Sequence, residues 1–178
     1  MRKFNHRPYV FNAIFGWSLL ELLSVLAIMA ISISFAVPSL YAAWQLQSLQ
    51  DERQRLSQKI RYARLTSLQK GSRVSVCWAP ECGAEQGFII YLDANTDGYW
   101  QSKEKQLSHF YLNKDIAFSF NRGVQISFNS AGNTAHSGTM LLCPKMKQLS
   151  GQLASKELGY ALVVSSSGRL REEKALCP

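Results

Sequence analysis

The 178-residue sequence lacks the groupings on which most enzyme chemistry depends. It has no glycine-rich phosphate loop, and no Ser, Cys or Thr stands in a pattern with a base. Its three histidines, His6, His109 and His136, are scattered. Of its four cysteines, Cys77 and Cys82 form a Cys-x4-Cys spacing without the second pair that a zinc site needs. Neither catalysis nor a resident cofactor is therefore expected. No internal repeat or low-complexity linker interrupts the chain, so repeat arrays and long disordered tethers are not expected either. Acidic residues are few, 12 against 20 basic ones, for a formal net charge of +8. Between positions 16 and 37 Glu21 is the single charged residue of either sign.

That poverty of charge leaves an apolar run, Trp17 to Val37, of the roughly 20 residues a helix needs to cross a bilayer. A carboxylate inside such a run costs at least about 2.5 kcal/mol on the lenient insertion scale, which makes Glu21 a functional residue by default. Arg2, Lys3 and Arg7 precede the run and read as cytoplasmic-side anchors under the positive-inside rule. Subtracting these three from the 20 basic residues leaves 17 against 12 acidic ones, a net of +5. Such a charge favours anionic partners without identifying one.

All four cysteines, Cys77, Cys82, Cys143 and Cys177, lie beyond the apolar run, on the side away from the basic leader. An even count there predicts an oxidising space and two disulfides, with buried free thiols as the alternative. Three pairings are open. The favoured one joins Cys77 to Cys82 as a tight loop and Cys143 to Cys177 as a staple on the C-terminal end.

An ordinary secretory signal has an apolar region of about 7–15 residues followed by its cleavage site. Here the order is reversed: a basic leader, then Gly16, then the long apolar run. A cut after Gly16 leaves Trp17 as the new terminus and Glu21 one helical turn away from the freed amine, at the favourable end of the helix dipole. The stretch Gly16-Trp17-Ser18-Leu19-Leu20-Glu21-Leu22-Leu23-Ser24-Val25, with Pro38 downstream, resembles the class III signal of type IV pilins and type II secretion pseudopilins. The family pattern has Phe or Met where Trp17 stands and Thr where Ser18 stands. The resemblance implies a prepilin peptidase that cuts after Gly16 and methylates the new amine of Trp17. It also implies that Glu21 pairs with a neighbouring subunit's terminus as pilin subunits stack through their N-terminal helices.

Beyond Pro38, Leu46, Leu49, Leu56, Ile60, Ala63 and Leu68 recur at separations of three, four or seven and mark one apolar helix face. Arg53, Arg55, Lys59, Arg61 and Arg64 lie mainly between them and read most simply as a solvated face, with acidic neighbours or anionic ligands as the alternative. One helix from about Trp17 to Gln69 is predicted, stopped by Gly71. After it come short β-type runs: Val74–Trp78, Phe88–Leu92, Leu107–Leu112, Ile116–Phe120, Val124–Phe128, Thr139–Cys143 and Tyr160–Ser165, separated by turn residues. The expected fold class is α+β, one long helix packed on an antiparallel sheet, which is also what the pilin resemblance implies. The expected organisation is a leader at 1–16, a transmembrane half-helix at 17–38, an amphipathic half-helix at 39–70 and a β head at 71–178.

Within the pilin class the head resembles the GspH/FimT/FimU group of minor pilins and pseudopilins. The matching pieces are Tyr62-Ala63-Arg64, Val74-Ser75-Val76-Cys77, the turn Asp93-Ala94-Asn95-Thr96-Asp97-Gly98, Gly138-Thr139-Met140-Leu141-Leu142-Cys143, and Gly168-Arg169. The implied location is the bacterial inner membrane, single-pass with a periplasmic head, and then a pilus or pseudopilus. The implied partners are other subunits, the peptidase and membrane lipid.

Two pieces of the head carry candidate chemistry. Asp93, Asn95, Asp97 and Glu104 satisfy the spacing of an EF-hand loop and can supply oxygens to calcium. The flanks read as strands where an EF-hand has helices, so the preferred reading is a hairpin turn braced by its Asn and Asp side chains, with Gly98 allowing positive φ; a bound cation is the alternative. The second piece is Gly168-Arg169-Leu170-Arg171. Strand alternation puts Arg169 and Arg171 on one face, where two guanidiniums can clamp phosphates. The FimT branch, associated with DNA uptake, carries Gly-Arg-x-Arg in this region, and the resemblance implies double-stranded DNA as a partner. Lys174 and the serines Ser165, Ser166 and Ser167 add phosphate contacts, whereas Glu172 and Glu173 lower the local potential. The competing reading is an edge strand whose charges discourage aggregation.

Overall fold

The computed structural model describes residues 18–78, 82, 87–145 and 158–177. The processing residues Gly16 and Trp17 lie outside them. The chain divides after Ala43 into two units, Met1–Ala43 and Trp44–Pro178.

Helix α1 runs from Leu19 to Lys70 with Glu21 in its first turn, close to the predicted limits. Gly71 follows at φ +59°, the left-handed conformation that closes helices at little cost to a residue without a Cβ. In the first unit, Leu19–Val37 is long and apolar enough to cross a membrane, and none of it is buried within the chain. Its hydroxyls turn inward on their own helix. Ser24 donates to the carbonyl of Glu21, Ser32 to that of Ile28 and Ser34 to that of Ala30, so they need no solvent.

In the second unit eight strands follow: β1 (Val74–Cys77), β2 (Gly87–Leu92), β3 (Lys105–Tyr111), β4 (Ile116–Phe120), β5 (Gln125–Phe128), β6 (Gly138–Pro144), β7 (Leu158–Val164) and β8 (Leu170–Leu176). Seven match the predicted runs to within a few residues. The eighth, β8, is the edge strand anticipated at residues 168–171; its sequence LREEKAL carries four consecutive charges and no apolar alternation, so its extent is not legible from hydrophobicity. The predicted single sheet is two sheets, ordered β3-β2-β1-β5 and β4-β6-β7-β8, all pairs antiparallel.

Both sheets contribute to one core, in which Leu49, Leu56, Ile60 and Ala63 of α1 lie with Val76, Ile90, Ile126 and Phe128 of the first sheet and Met140, Leu142 and Leu162 of the second. An aromatic cluster joins the sheets: Trp78 lies 5.6 Å from Phe88 and 5.2 and 5.3 Å from Phe118 and Phe120, ring centre to ring centre. The contacts to Phe118 and Phe120 are edge-on, and contacts of that kind add about 0.5–1.5 kcal/mol each beyond area burial.

The helix face differs from expectation in two ways. Leu46 and Leu68 are exposed, while Ser57, Thr66 and Ser67 are buried. Thr66 and Ser67 tolerate this because their hydroxyls bond the carbonyls of Tyr62 and Arg64. The basic residues are only in part a solvated face: Arg55 and Arg61 are more than half exposed, yet most of the five reach polar groups beyond the helix. Arg53 and Arg61 pair with Glu172 of β8 at 3.2 and 3.3 Å. Lys59 donates to Ser108 of β3 at 2.9 Å, and Arg64 donates to the carbonyls of Gly132 and Ser167 at 3.0 and 2.9 Å. Only Arg55 stays on its own helix, 3.7 Å from Glu52. The cations flank the apolar stripe, so they reach polar groups on both sheets.

The cysteines pair as favoured, Cys77 with Cys82 and Cys143 with Cys177. The second bridge joins β6 to the end of β8, with β7 between them. It passes over Gly159: a Cβ there would stand 2.5 Å from the Cys177 sulfur and 2.6 Å from the Leu142 carbonyl oxygen. Position 159 must be glycine for the staple to cross.

Candidate functional site

Glu21 is the one charge among residues 19–37. Its backbone is tied into the first turn by bonds to Ser18, and among the described residues its carboxylate has no partner. A lone carboxylate on an apolar helix is the feature lipid penalises most.

The basic tail is built by a tight turn between β7 and β8. Ser165 and Arg169 close it, with Ser165 N donating to Arg169 O at 3.0 Å and the Ser165 and Ser167 hydroxyls 2.9 Å apart. Gly168 sits at φ +71°, packed against the Gly132 carbonyl and the Arg64 side chain. Its glycine thus has a local structural cause, the close approach of the β5–β6 loop. Arg169 then opens onto a groove of about 290 Å³ between the turn and α1, lined by Ile60, Arg61, Arg64 and Leu65 on one side and Gly168, Arg169 and Leu170 on the other. Arg64 is committed to two carbonyls and Arg61 to Glu172, while the Arg169 guanidinium has no partner among the described residues.

The three predicted cations do not form one cluster. Arg171, exposed, lies 3.7 Å from Glu173. Lys174 is two residues from Glu172, which faces α1, so alternation puts it on the opposite side of β8 from Arg171. Instead the structure brings Arg61 and Arg64 beside Arg169, which the sequence reading did not anticipate. The available signal was their i, i+3 spacing on the helix. Glu172 lowers the local potential in the sequence reading, but in the fold it faces the helix. It is a tie, accepting from the buried Ser57 hydroxyl at 2.6 Å and pairing with Arg53 and Arg61.

The acidic loop joins β2 to β3. Asp93, fully buried, accepts from Ser75 Oγ at 3.2 Å and Gly98 N at 3.1 Å through Oδ2, with Arg73 Nε at 3.7 Å. Asn95 Oδ1 accepts from Asp97 N, Asp97 Oδ1 from Tyr99 N, and Glu104 Oε2 from Gln101 N. Asp97 Oδ2 also accepts from the Asn95 and Gln101 side-chain amides, each at 2.8 Å. Tyr91 lies beneath and donates to the Gly98 carbonyl at 2.9 Å. Burial raises its phenol pKa well above the ordinary value; a hydrogen bond with Ser75 opposes the shift, and the charges of Asp93, Glu104 and Asp97 add to it. Among the described residues no three His, Cys, Asp or Glu side chains are grouped as metal ligands.

An apolar helix opening on an acid, continued by a helix packed on antiparallel sheets, defines a pilin-like α+β class. Comparison with solved structures agrees. The type IV minor pilin FimU of Pseudomonas aeruginosa superposes with a TM-score of 0.53 at 17% identity, over 71% of this chain and 89% of that one. A second crystal form of FimU gives 0.51 at 18% identity, over 70% and 92%. The minor pseudopilin EpsH of the Vibrio cholerae Type 2 Secretion System gives 0.47 at 14%, over 70% and 94%. No curated protein matches in sequence. The family model described as Type II transport protein GspH matches residues 52–168, about two thirds of the chain, and the protein belongs to that family.

Proposed function

We propose that the protein is a minor type IV pilin, held in the bacterial inner membrane as a precursor and joined to, or priming, a pilus. In this reading a prepilin peptidase cuts after Gly16 and methylates Trp17. Glu21 then pairs with the freed amine of a neighbouring subunit, and the head stands in the periplasm. The observation that carries the reading is the unpartnered Glu21 in a lipid-length apolar segment of a GspH-family chain.

The head's added role is to hold double-stranded DNA without sequence preference through Arg169 and Arg171; Lys174, on the opposite side of β8 from Arg171, falls outside this contact. Support comes from the free Arg169 guanidinium and the neighbouring Arg64, whose bonds to two carbonyls leave its charge uncancelled, whereas Arg61 is offset by Glu172. A second reading, a minor pseudopilin of a type II secretion system, is favoured by the description of the matched family. A third is a membrane-tethered DNA receptor that never polymerises.

Glu21→Ala tests assembly: filaments or secretion should fail while the purified chain binds DNA unchanged. Normal filaments from this variant would refute the assembly role, and a tethered receptor would tolerate the change. Arg169→Ala with Arg171→Ala tests the head. Two phosphate contacts give a slope of about −1.8 in log affinity against log salt, and losing both should leave any residual binding nearly insensitive to salt. An unchanged mobility shift would remove DNA from the account.

A further inference from the structure

Residues Asp93 to Glu104 read Asp-Ala-Asn-Thr-Asp-Gly-Tyr-Trp-Gln-Ser-Lys-Glu, a 12-residue spacing in which positions 1, 3, 5 and 12 carry side-chain oxygens and position 6 is glycine. Flanking helices are absent, yet the loop has the backbone this spacing calls for. Gly98 lies at φ +80°, and Thr96, a β-branched residue, at φ +61°, a conformation such residues rarely adopt. Its carbonyl is held by Arg73 Nη1 at 2.6 Å.

Turn geometry alone does not require an ion. The independent observation is a pair of orphaned oxygens. Asp93 is fully buried, and while Oδ2 is occupied by Ser75, Gly98 N and Arg73, Oδ1 has no partner. Glu104 Oε1 is likewise buried and unpartnered, with Oε2 bonded back to Gln101 N. Buried carboxylate oxygens without partners are uncommon because their desolvation goes uncompensated. These two belong to the first and last positions of the loop, and each carboxylate is held by a backbone amide of the loop itself.

We propose that Asp93, Asn95, Asp97 and Glu104 bind one calcium ion, with Asp93 Oδ1 and Glu104 Oε1 as its charged anchors. The Tyr99 carbonyl stands at the seventh position of the spacing, and water completes the shell. The donors are all oxygens on a pliable loop, which suits calcium better than magnesium, with its strict octahedron, or zinc, with its preference for nitrogen and sulfur. The carboxylates are not yet gathered as a ligand set, so the Asp97 and Glu104 side chains must turn in towards Asp93 as the ion enters. Arg73 beside Asp93, with Lys103 and Lys105 in and after the loop, offsets part of the negative charge. The affinity therefore belongs with the weak extracellular class, Kd about 10⁻⁴–10⁻³ M. The ion would brace the β2–β3 connection whether or not the head grips DNA.

The test is calcium titration of the full chain in detergent, read by thermal melting and by terbium luminescence sensitised through Tyr99 and Trp100. Calcium should raise the melting temperature in a saturating manner, and magnesium at equal concentration should not. Glu104→Gln and Asp97→Asn, both outside the core, should each weaken binding tenfold or more, whereas Arg73→Gln should strengthen it. No concentration-dependent rise, an equal rise with magnesium, or full binding by both carboxylate variants would overturn the proposal.

Discussion

Replacing Glu172 with alanine should loosen the head, because this one carboxylate gathers three groups of α1. Ser57, buried, donates to Oε1 at 2.6 Å, and Arg53 lies 3.2 Å from Oε2 while stacking 4.6 Å above the Tyr160 ring. Arg61 is 3.3 Å away but 59% exposed, so solvent screens it and it adds little. A hydrogen bond from a buried hydroxyl to a charged acceptor contributes about 1.5–3 kcal/mol. The Arg53 pair, about a quarter exposed on each side, adds at most about 1 kcal/mol. The expected loss is therefore about 2–3 kcal/mol. For a unit of about 135 residues, at about 4 °C per kcal/mol, the melting temperature falls by about 8–12 °C. Glu172→Gln keeps an acceptor for Ser57 and should fall by about half as much. Tryptophan fluorescence melts of the full chain in detergent measure both, and a double-mutant cycle with Arg53→Ala should show coupling above about 0.5 kcal/mol. A shift under 2 °C for the alanine variant, or strict additivity with Arg53→Ala, would refute the reasoning. The same variant releases Arg61 beside Arg169, so DNA affinity should rise as stability falls if the basic groove is the contact.

Two further outcomes follow from the packing. Glu52 has its carboxyl pKa raised by burial, with Arg55 and the Asn113 amide opposing and Asp51 adding, and its Oε2 is buried without a partner. Its folded pKa thus exceeds the unfolded one. The associated stability is present in full below the unfolded value and is lost as pH rises through the folded value. Glu52→Gln should therefore raise the melting temperature at pH 7, leave it unchanged near pH 3.5, and flatten the profile between. Equal melting temperatures at pH 7 would count against this. Gly159→Ala should strain the Cys143–Cys177 bridge that passes over it. That bridge closes a 34-residue separation and contributes roughly 4 kcal/mol by loop entropy, against roughly 2 for Cys77–Cys82 at separation 5. Measured by melting, Cys143→Ala with Cys177→Ala should cost more than Cys77→Ala with Cys82→Ala; the reverse order would contradict the loop argument.

Local chemistry alone made much of this protein legible. The apolar run and its acid, the helix with its glycine stop and seven strands follow from periodicity, turn residues and spacing, which act over a few neighbouring positions; spacing favours the cysteine pairing found without excluding the other two. The partition into two sheets depends on which strands meet across the chain, and no short window holds that information. β8 lacks the apolar alternation of the other strands, and the partner of its inward-facing Glu172 comes from far along the chain, arginines more than a hundred positions away. For the same reason the partners of the helix cations emerge only once both sheets are in place around them, and the groove beside Arg169 takes Arg61 and Arg64 from the helix rather than Lys174 from the strand. Sequence determined what each segment is, through backbone propensity and hydrophobic period. Tertiary structure decided which charges are neutralised and which stay free, because that depends on distances the chain sets only once it has folded.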